Sequence, residues 1–194
     1  MTDQFKSASF VLVVLGTAAV VVAQQAKIPP VEAAKLGEMP DVHVCGGLYL
    51  AGQPTADDLP AIRAADIQRV ISLRPKEEVA WKEAEAIKDA GIEFIEVPFR
   101  QPESLTDEVF DKVRRMLDES EKVRTLVHCS SANRVGAVWL TRRVLDDGVP
   151  LQRAIEEAKE VGLSSTAYLD KAKDYIKRKT EDRDKRDQNG RPGR

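Results

Sequence analysis

Between Val42 and Leu163, short apolar runs alternate with longer stretches in which apolar residues return every three or four positions, as strands interleaved with amphipathic helices do. Val42 and Val44, then Leu48 and Leu50, alternate on either side of Gly46-Gly47, which predicts a β-hairpin. Gly52-Gln53-Pro54 ends it, and Thr55 is placed to cap a helix carrying Leu59, Ile62 and Ala65 on one face. Arg69 to Leu73 reads as a compact strand, Glu77 to Ala90 as a helix closed by Gly91, and Ile92 to Val97 as another strand, broken at Pro98. After a loop from Phe99 to Leu105, Thr106 can cap a helix holding Val109, Phe110, Val113, Met116 and Leu117. Thr125-Leu126-Val127 is a short buried strand that runs into a loop and then a helix from about Val135 to Asp146. Two more helices follow, Leu151 to Val161 and Thr166 to Arg178.

Strands alternating with helices of this length predict a single α/β domain, with a mostly parallel central sheet flanked by helices on both faces. The domain is expected over residues 41–178. Residues 24–40, with Pro29-Pro30 and no sustained apolar face, read as a linker, and the almost wholly charged residues 179–194 as a disordered tail. Residues 1–23 read as an export signal: Lys6, an apolar run from Ala8 to Ala23, and small residues before Gln24. The mature chain is then periplasmic or secreted, with no stable membrane span; an uncleaved anchor is the alternative, although the run is shorter than the roughly 20 residues a comfortable span needs. N-terminal sequencing of the exported protein distinguishes the two.

With 30 Lys and Arg against 32 Asp and Glu, the net charge of -2 leaves no concentrated basic face for nucleic acid, and any anion site must be local. Two His and two Cys, far apart in sequence, give no metal-ligand cluster, and no cofactor is implied. Oligomeric state is not legible.

Ligands of such sheets sit beyond the carboxyl ends of the strands. The segments arriving there are Arg74, Arg100 to Ser104, and His128-Cys129-Ser130-Ser131-Ala132-Asn133-Arg134. The last supplies a thiol, small residues and a guanidinium between a buried strand and a helix. Small side chains let the amides of Ser130, Ser131, Ala132 and Asn133 turn inward as an anion nest, and the helix dipole adds positive potential. Arg134 can grip two oxygens of a tetrahedral anion, and such surroundings favour a thiolate at Cys129, set for in-line attack. His128 orients the loop or is a satisfied core histidine, and Arg74 adds to the positive field. Cys45 is the other thiol; a structural disulfide or a reversible pair protecting Cys129 is open to it, and non-reducing peptide mapping tests that.

These motifs resemble the dual-specificity-type cysteine phosphatase superfamily, and within it the bacterial beta-lactamase-hydrolase-like phosphatase-like proteins, close to those fused to NAD kinase. The resemblance spans about Asp41 to Leu163. It is carried by Leu48-Tyr49-Leu50-Ala51-Gly52-Gln53-Pro54, Val70-Ile71-Ser72-Leu73-Arg74, His128 to Trp139, and Glu156, Ala158, Val161, Gly162 and Leu163. It implies a cysteine-phosphatase-like fold, Cys129 as nucleophile, Arg134 as anion-binding arginine, and hydrolysis of a phosphate monoester through a phosphocysteine. Four residues separate Cys129 from Arg134, where the wider superfamily has five. Four is also the rhodanese spacing, so sulfur transfer on the same thiolate is the alternative reaction, and a catalytically idle anion-binding domain is a third. Ala132 stands where both families usually carry Gly, and if that position needs positive φ the strain is on the order of 1 kcal/mol. Val135 replaces a usual Ser or Thr. The loop Pro98 to Ser104 lacks the Asp that serves as general acid in the superfamily, which leaves Glu103 as the nearest candidate.

Overall fold

A computed structural model describes residues 29–189; the expected export segment and the last residues of the charged tail lie outside them. Among the described residues the strands are β1 (Glu32–Ala33), β2 (His43–Cys45), β3 (Leu48–Ala51), β4 (Arg69–Ser72), β5 (Glu93–Glu96) and β6 (Thr125–His128). They form one sheet in the order β1-β2-β3-β6-β4-β5. The hairpin expected around Gly46-Gly47 is β2–β3, and β3, β6, β4 and β5 run parallel. Ala51 and Ser72 both stand beside His128 in register, so the central strands end level with one another.

The helices are α1 (Leu59–Ala64), α2 (Glu83–Asp89), α3 (Asp107–Asp118), α4 (Asn133–Leu145), α5 (Leu151–Val161) and α6 (Thr166–Asn189). Alternating strand residues face opposite layers. Leu50, Ile71 and Val127 join Phe110, Leu117, Val138, Ala158 and Tyr175 of α3 to α6 on one side. Val70 and Leu126 join Ile62 of α1, Ile87 of α2 and Val42 on the other. The central strand β6 is therefore buried along its whole length, and α4 is buried from Val135 to Thr141.

Three expectations are corrected. Residues 29–40 are not a free linker: β1 pairs with β2, the Ala34 amide donates to the Val42 carbonyl, and Leu36 and Met39 are in the core. A two-residue strand is too short to show a period, which is why the pattern missed it. The helix expected over Glu77 to Ala90 is split into a 3-10 turn, Lys76–Glu78, and α2, because Val79 adopts an extended conformation and the Trp81 indole donates to the Pro54 carbonyl at 3.1 Å. The tail is helical to Asn189 rather than disordered from 179. It lacks Gly and Pro over that span, and Lys179 pairs with Asp111 at 2.8 Å while lying over the Tyr175 ring. Among the described residues no helix is long and apolar enough to cross a membrane.

Candidate active site

Cys129 follows directly on β6, where its amide donates to the Ala51 carbonyl at 3.3 Å. Its neighbours on both flanks hold the loop: the Gln53 amide donates to the Ser130 carbonyl at 3.0 Å, and the Leu73 amide to the His128 carbonyl at 3.0 Å. Gly52 is required at this crossing, since a Cβ there would lie 2.5 Å from Pro40 Cγ and 2.9 Å from the Ser130 carbonyl oxygen. Cys129 is 1 % exposed and lies in the larger core cluster, at the floor of the loop; Ser130 and Ser131 are exposed at its rim. Ala132 has φ +54° and closes the loop onto α4, so it does occupy the left-handed region that the usual Gly reaches without strain. Gly162 gives it room, for a Cβ at Gly162 would stand 3.0 Å from the Ala132 methyl.

Arg134, in the first turn of α4, is pinned by its Nη1, which donates to the carbonyls of Leu73 (3.1 Å) and Phe99 (3.0 Å). Its Nη2 donates to Glu78 Oε2 at 2.5 Å. The same carboxylate accepts from Arg74 Nε (3.3 Å) and Arg100 Nε (2.7 Å), and Arg74 also donates to the Glu78 carbonyl. Burial works to raise the Glu78 carboxyl, but hydrogen bonds from Arg134 and Arg100 outweigh it and hold the group below the ordinary carboxylate range. Three guanidinium groups around one carboxylate leave positive charge uncompensated beside the loop, as an anion site requires.

On the other side of the loop His128 is fully buried, and neither ring nitrogen makes a hydrogen bond of full geometry. Nε2 lies 3.4 Å from Oε1 of Glu83, at the start of α2. That carboxyl, 3 % exposed, accepts from Gln53 Nε2 at 2.7 Å, and the Gln53 carbonyl oxygen accepts from Arg74 Nη1 at 2.7 Å. Burial pushes Glu83 up to about 7 and His128 down to about 3. Both groups are therefore neutral in weakly acidic solution.

The structure gathers Cys129, Ser130, Ser131, Ala132, Arg134, His128 and Arg74 in one place, and adds Arg100. Asn133 is different: its side chain accepts from the amides of Ser164 (3.0 Å) and Ser165 (3.1 Å) ahead of α6, which leaves only its backbone to the loop. Glu103 is exposed on the 3-10 turn Pro102–Ser104 and opens on a cleft with Asp107, Lys171 and Arg178 that contains no residue of the Cys129 loop. Tyr168 stands between, its hydroxyl donating to the Arg100 carbonyl at 2.7 Å and its ring edge-on to Phe99. Cys45 pairs with Leu48, whose other neighbour is Thr125, at the opposite end of the sheet from Cys129. Four strand residues at about 3.3 Å each separate the two levels, well beyond the ~7 Å limit for a disulfide, so the Cys45–Cys129 pair is excluded in this fold. Both thiols are free.

Gln53, Glu78, Glu83 and Tyr168 escaped the sequence reading. Gln53 stood in a quoted motif, and Arg74 and Glu78 at an i, i+4 spacing, but the two glutamates sit in a stretch crowded with Glu and Lys that marks none of them out.

No family model matches the chain, and no curated protein matches it in sequence. Solved structures do match in fold. Tk-PTP superposes with a TM-score of 0.61 at 19% identity, covering 71% of this chain and 94% of its own. TpbA of P. aeruginosa gives 0.61 at 18% identity, covering 79% and 91%, and a variant of it has been solved in complex with phosphotyrosine. The catalytic core of Siw14 gives 0.60 at 17% identity, covering 74% and 88%. The chain has the α/β fold of these cysteine-phosphatase-type proteins.

Proposed function

We propose that this chain is a cysteine-dependent phosphatase that hydrolyses phosphate monoesters through Cys129. The observation that carries the reading is the pairing of a thiol at the floor of a strand-to-helix loop with a guanidinium fixed beside it by two backbone carbonyls. In the first step the Cys129 thiolate attacks phosphorus, a sulfur–phosphorus bond forms, and the ester oxygen leaves with the bonding electron pair. Water then attacks phosphorus, returning the thiolate and releasing inorganic phosphate. Arg134, the loop amides and the N-terminus of α4 stabilise the equatorial oxygens through both steps.

The leaving oxygen needs a proton or must be stable without one. Glu78 is held ionised by its arginines and Glu103 faces solvent, so neither supports strong general-acid assistance. The reading therefore favours phenolic esters, of which phosphotyrosine is the protein example, over alkyl esters. The test is hydrolysis of aryl and alkyl phosphates by the wild type and by Cys129→Ser, with thiosulfate offered in parallel. Wild-type turnover of aryl phosphate, reduced at least about a thousandfold in Cys129→Ser, is expected. Activity that survives the substitution removes Cys129 from the reaction; a sulfur adduct on Cys129 without ester hydrolysis makes the chain a sulfurtransferase, and binding without either leaves an anion receptor.

A further inference from the structure

The sheet ends on one side at β5, and that edge is open. The Glu93 amide donates to the Gln68 carbonyl at 3.0 Å and the Val97 amide to the Ser72 carbonyl at 2.9 Å, with Ile95 opposite Ile71 between them. Main-chain groups of a strand point alternately to its two sides, so residues 93, 95 and 97 serve β4, while the amides and carbonyls of Phe94 and Glu96 point outward. Among the described residues no strand pairs with β5 on its outer side, and no hydrogen bond reaches those four groups. Such an edge is a template for another extended segment.

Beside the edge, on the face that carries α2, a cleft of about 330 Å³ runs between Trp81, Val79 and Phe94, all half-buried, with Lys76, Lys82 and Lys88 around it. The Ile92 amide donates to the Ile87 carbonyl, so Lys88 stands near the start of β5. Lys76 opens the 3-10 turn whose Glu78 meets Arg100, near the strand's end. Lys82 pairs with Glu85 at 2.9 Å, whereas Lys76 and Lys88 have no ion-pair partner among the described residues. Phe94 and Glu96 both line the cleft, so alternate side chains of a strand added here enter it too. An apolar side chain fits between Trp81 and Phe94, and acidic ones before and after it meet the two free lysines. Beyond its last residue β5 runs into Pro98-Phe99-Arg100, and so toward the arginines beside the Cys129 loop.

We propose that the outer edge of β5 binds substrate as an added strand, the substrate being an extended phosphorylated peptide with an apolar side chain between Trp81 and Phe94 and acidic residues beside Lys76 and Lys88. The proposal rests on the reading of Cys129 as a phosphatase nucleophile and names the substrate class for it. In the order β6-β4-β5 the added strand lies three intervals of about 4.8 Å from β6, about 14 Å in all, which two or three extended residues and an aromatic side chain cover. The phosphorylated residue is therefore about three positions from the paired segment. Main-chain hydrogen bonds supply the affinity, and the cleft supplies the sequence preference.

Two probe peptides carry the segment Glu-Val-Phe-Val-Glu, one with phosphotyrosine about three residues after it and one with phosphotyrosine about three residues before it, to cover the parallel and antiparallel senses. The better of the two is expected to show a KM at least roughly tenfold below that of phosphotyrosine alone. Neither peptide improving on phosphotyrosine overturns the proposal. In a second arm the same peptides with plain tyrosine are added at millimolar concentration to the wild-type protein. Amide hydrogen exchange is expected to slow at Phe94 and Glu96 and to stay as it was at Ile95, which already serves β4. Methylating the peptide nitrogens of one alternate set of segment residues is expected to abolish that protection, and methylating the other set to spare it, as the period of a strand requires. No protection at Phe94 and Glu96, or equal loss with either methylated set, overturns the proposal. So does protection of these amides that rises with protein concentration and needs no peptide, which assigns the edge to a second copy of the chain. Hydrogen exchange needs no turnover, so a failure of phosphatase activity and a failure of strand addition are read separately.

Discussion

At Ala132 and Gly162 two backbones meet with no slack. Ala132 holds φ +54° with its side chain fully buried, and Gly162 holds φ +132° against it. Replacing Ala132 by Gly relieves about 1 kcal/mol of left-handed strain but gives back roughly 0.5–1 kcal/mol in unfolded-state entropy and about 0.8 kcal/mol for the methyl group. Denaturant unfolding is expected to find Ala132→Gly within about 1 kcal/mol of wild type. Gly162→Ala has no such offset, because its Cβ would stand 3.0 Å from the Ala132 methyl and 3.1 Å from the Ser131 carbonyl oxygen. It is expected to lose about 2 kcal/mol and to weaken phosphate binding by displacing the loop. Unchanged stability in Gly162→Ala would show that the loop is softer than its contacts imply.

Among the elements, α4 and α5 are locked by a buried ion pair, Arg143 Nε to Glu157 Oε2 at 2.6 Å, with Nη2 reaching Oε1 at 3.2 Å. Removing one member strands a charge in the core, so Glu157→Ala is expected to cost about 3 kcal/mol in urea unfolding, the low end for such a break because Asp147 remains 3.1 Å from Arg143. A loss below about 1 kcal/mol would mean that Asp147 alone satisfies the guanidinium. The sequence pattern found α5 whole but only the second half of the helix expected over residues 77 to 90, and the reason is local. Leu151 to Val161 presents one apolar face to α4 and needs no other information. Between Leu73 and Glu83 no residue is fully buried, so nothing local sustains a helix, and contacts with Pro54 and the arginine cluster set the path instead.

For the molecule as a whole, Glu83 and His128 make opposing contributions to stability against pH. The folded Glu83 value, about 7, lies above its ordinary 4.5, so its contribution is complete at low pH and is lost as pH rises through 7. The folded His128 value, about 3, lies below its ordinary 6.5, so its contribution is complete above 6.5 and is lost as pH falls toward 3. Between 4.5 and 6.5 the two slopes cancel, and unfolding free energy in the wild type is expected to be nearly level. Glu83→Gln removes one of them, and its stability is expected to fall by about 1 kcal/mol per pH unit on acidification through that window. Parallel profiles for the two proteins would show that Glu83 is not held neutral by the fold.

Hydrophobic period, turn residues and the order strand, thiol, small loop, guanidinium, helix were enough to derive the sheet, its layers and the position of Cys129 and Arg134, because each is a local property of consecutive residues. The partners that tune the site were not legible. Glu78, which meets Arg100 and Arg134 at 22 and 56 positions along the chain, and Glu83, which lies beside His128 from 45 positions away, acquire their roles only when these segments are packed together and water is excluded from between them. Burial and charge proximity are properties of that packing, and a linear pattern of Glu and Lys does not contain them.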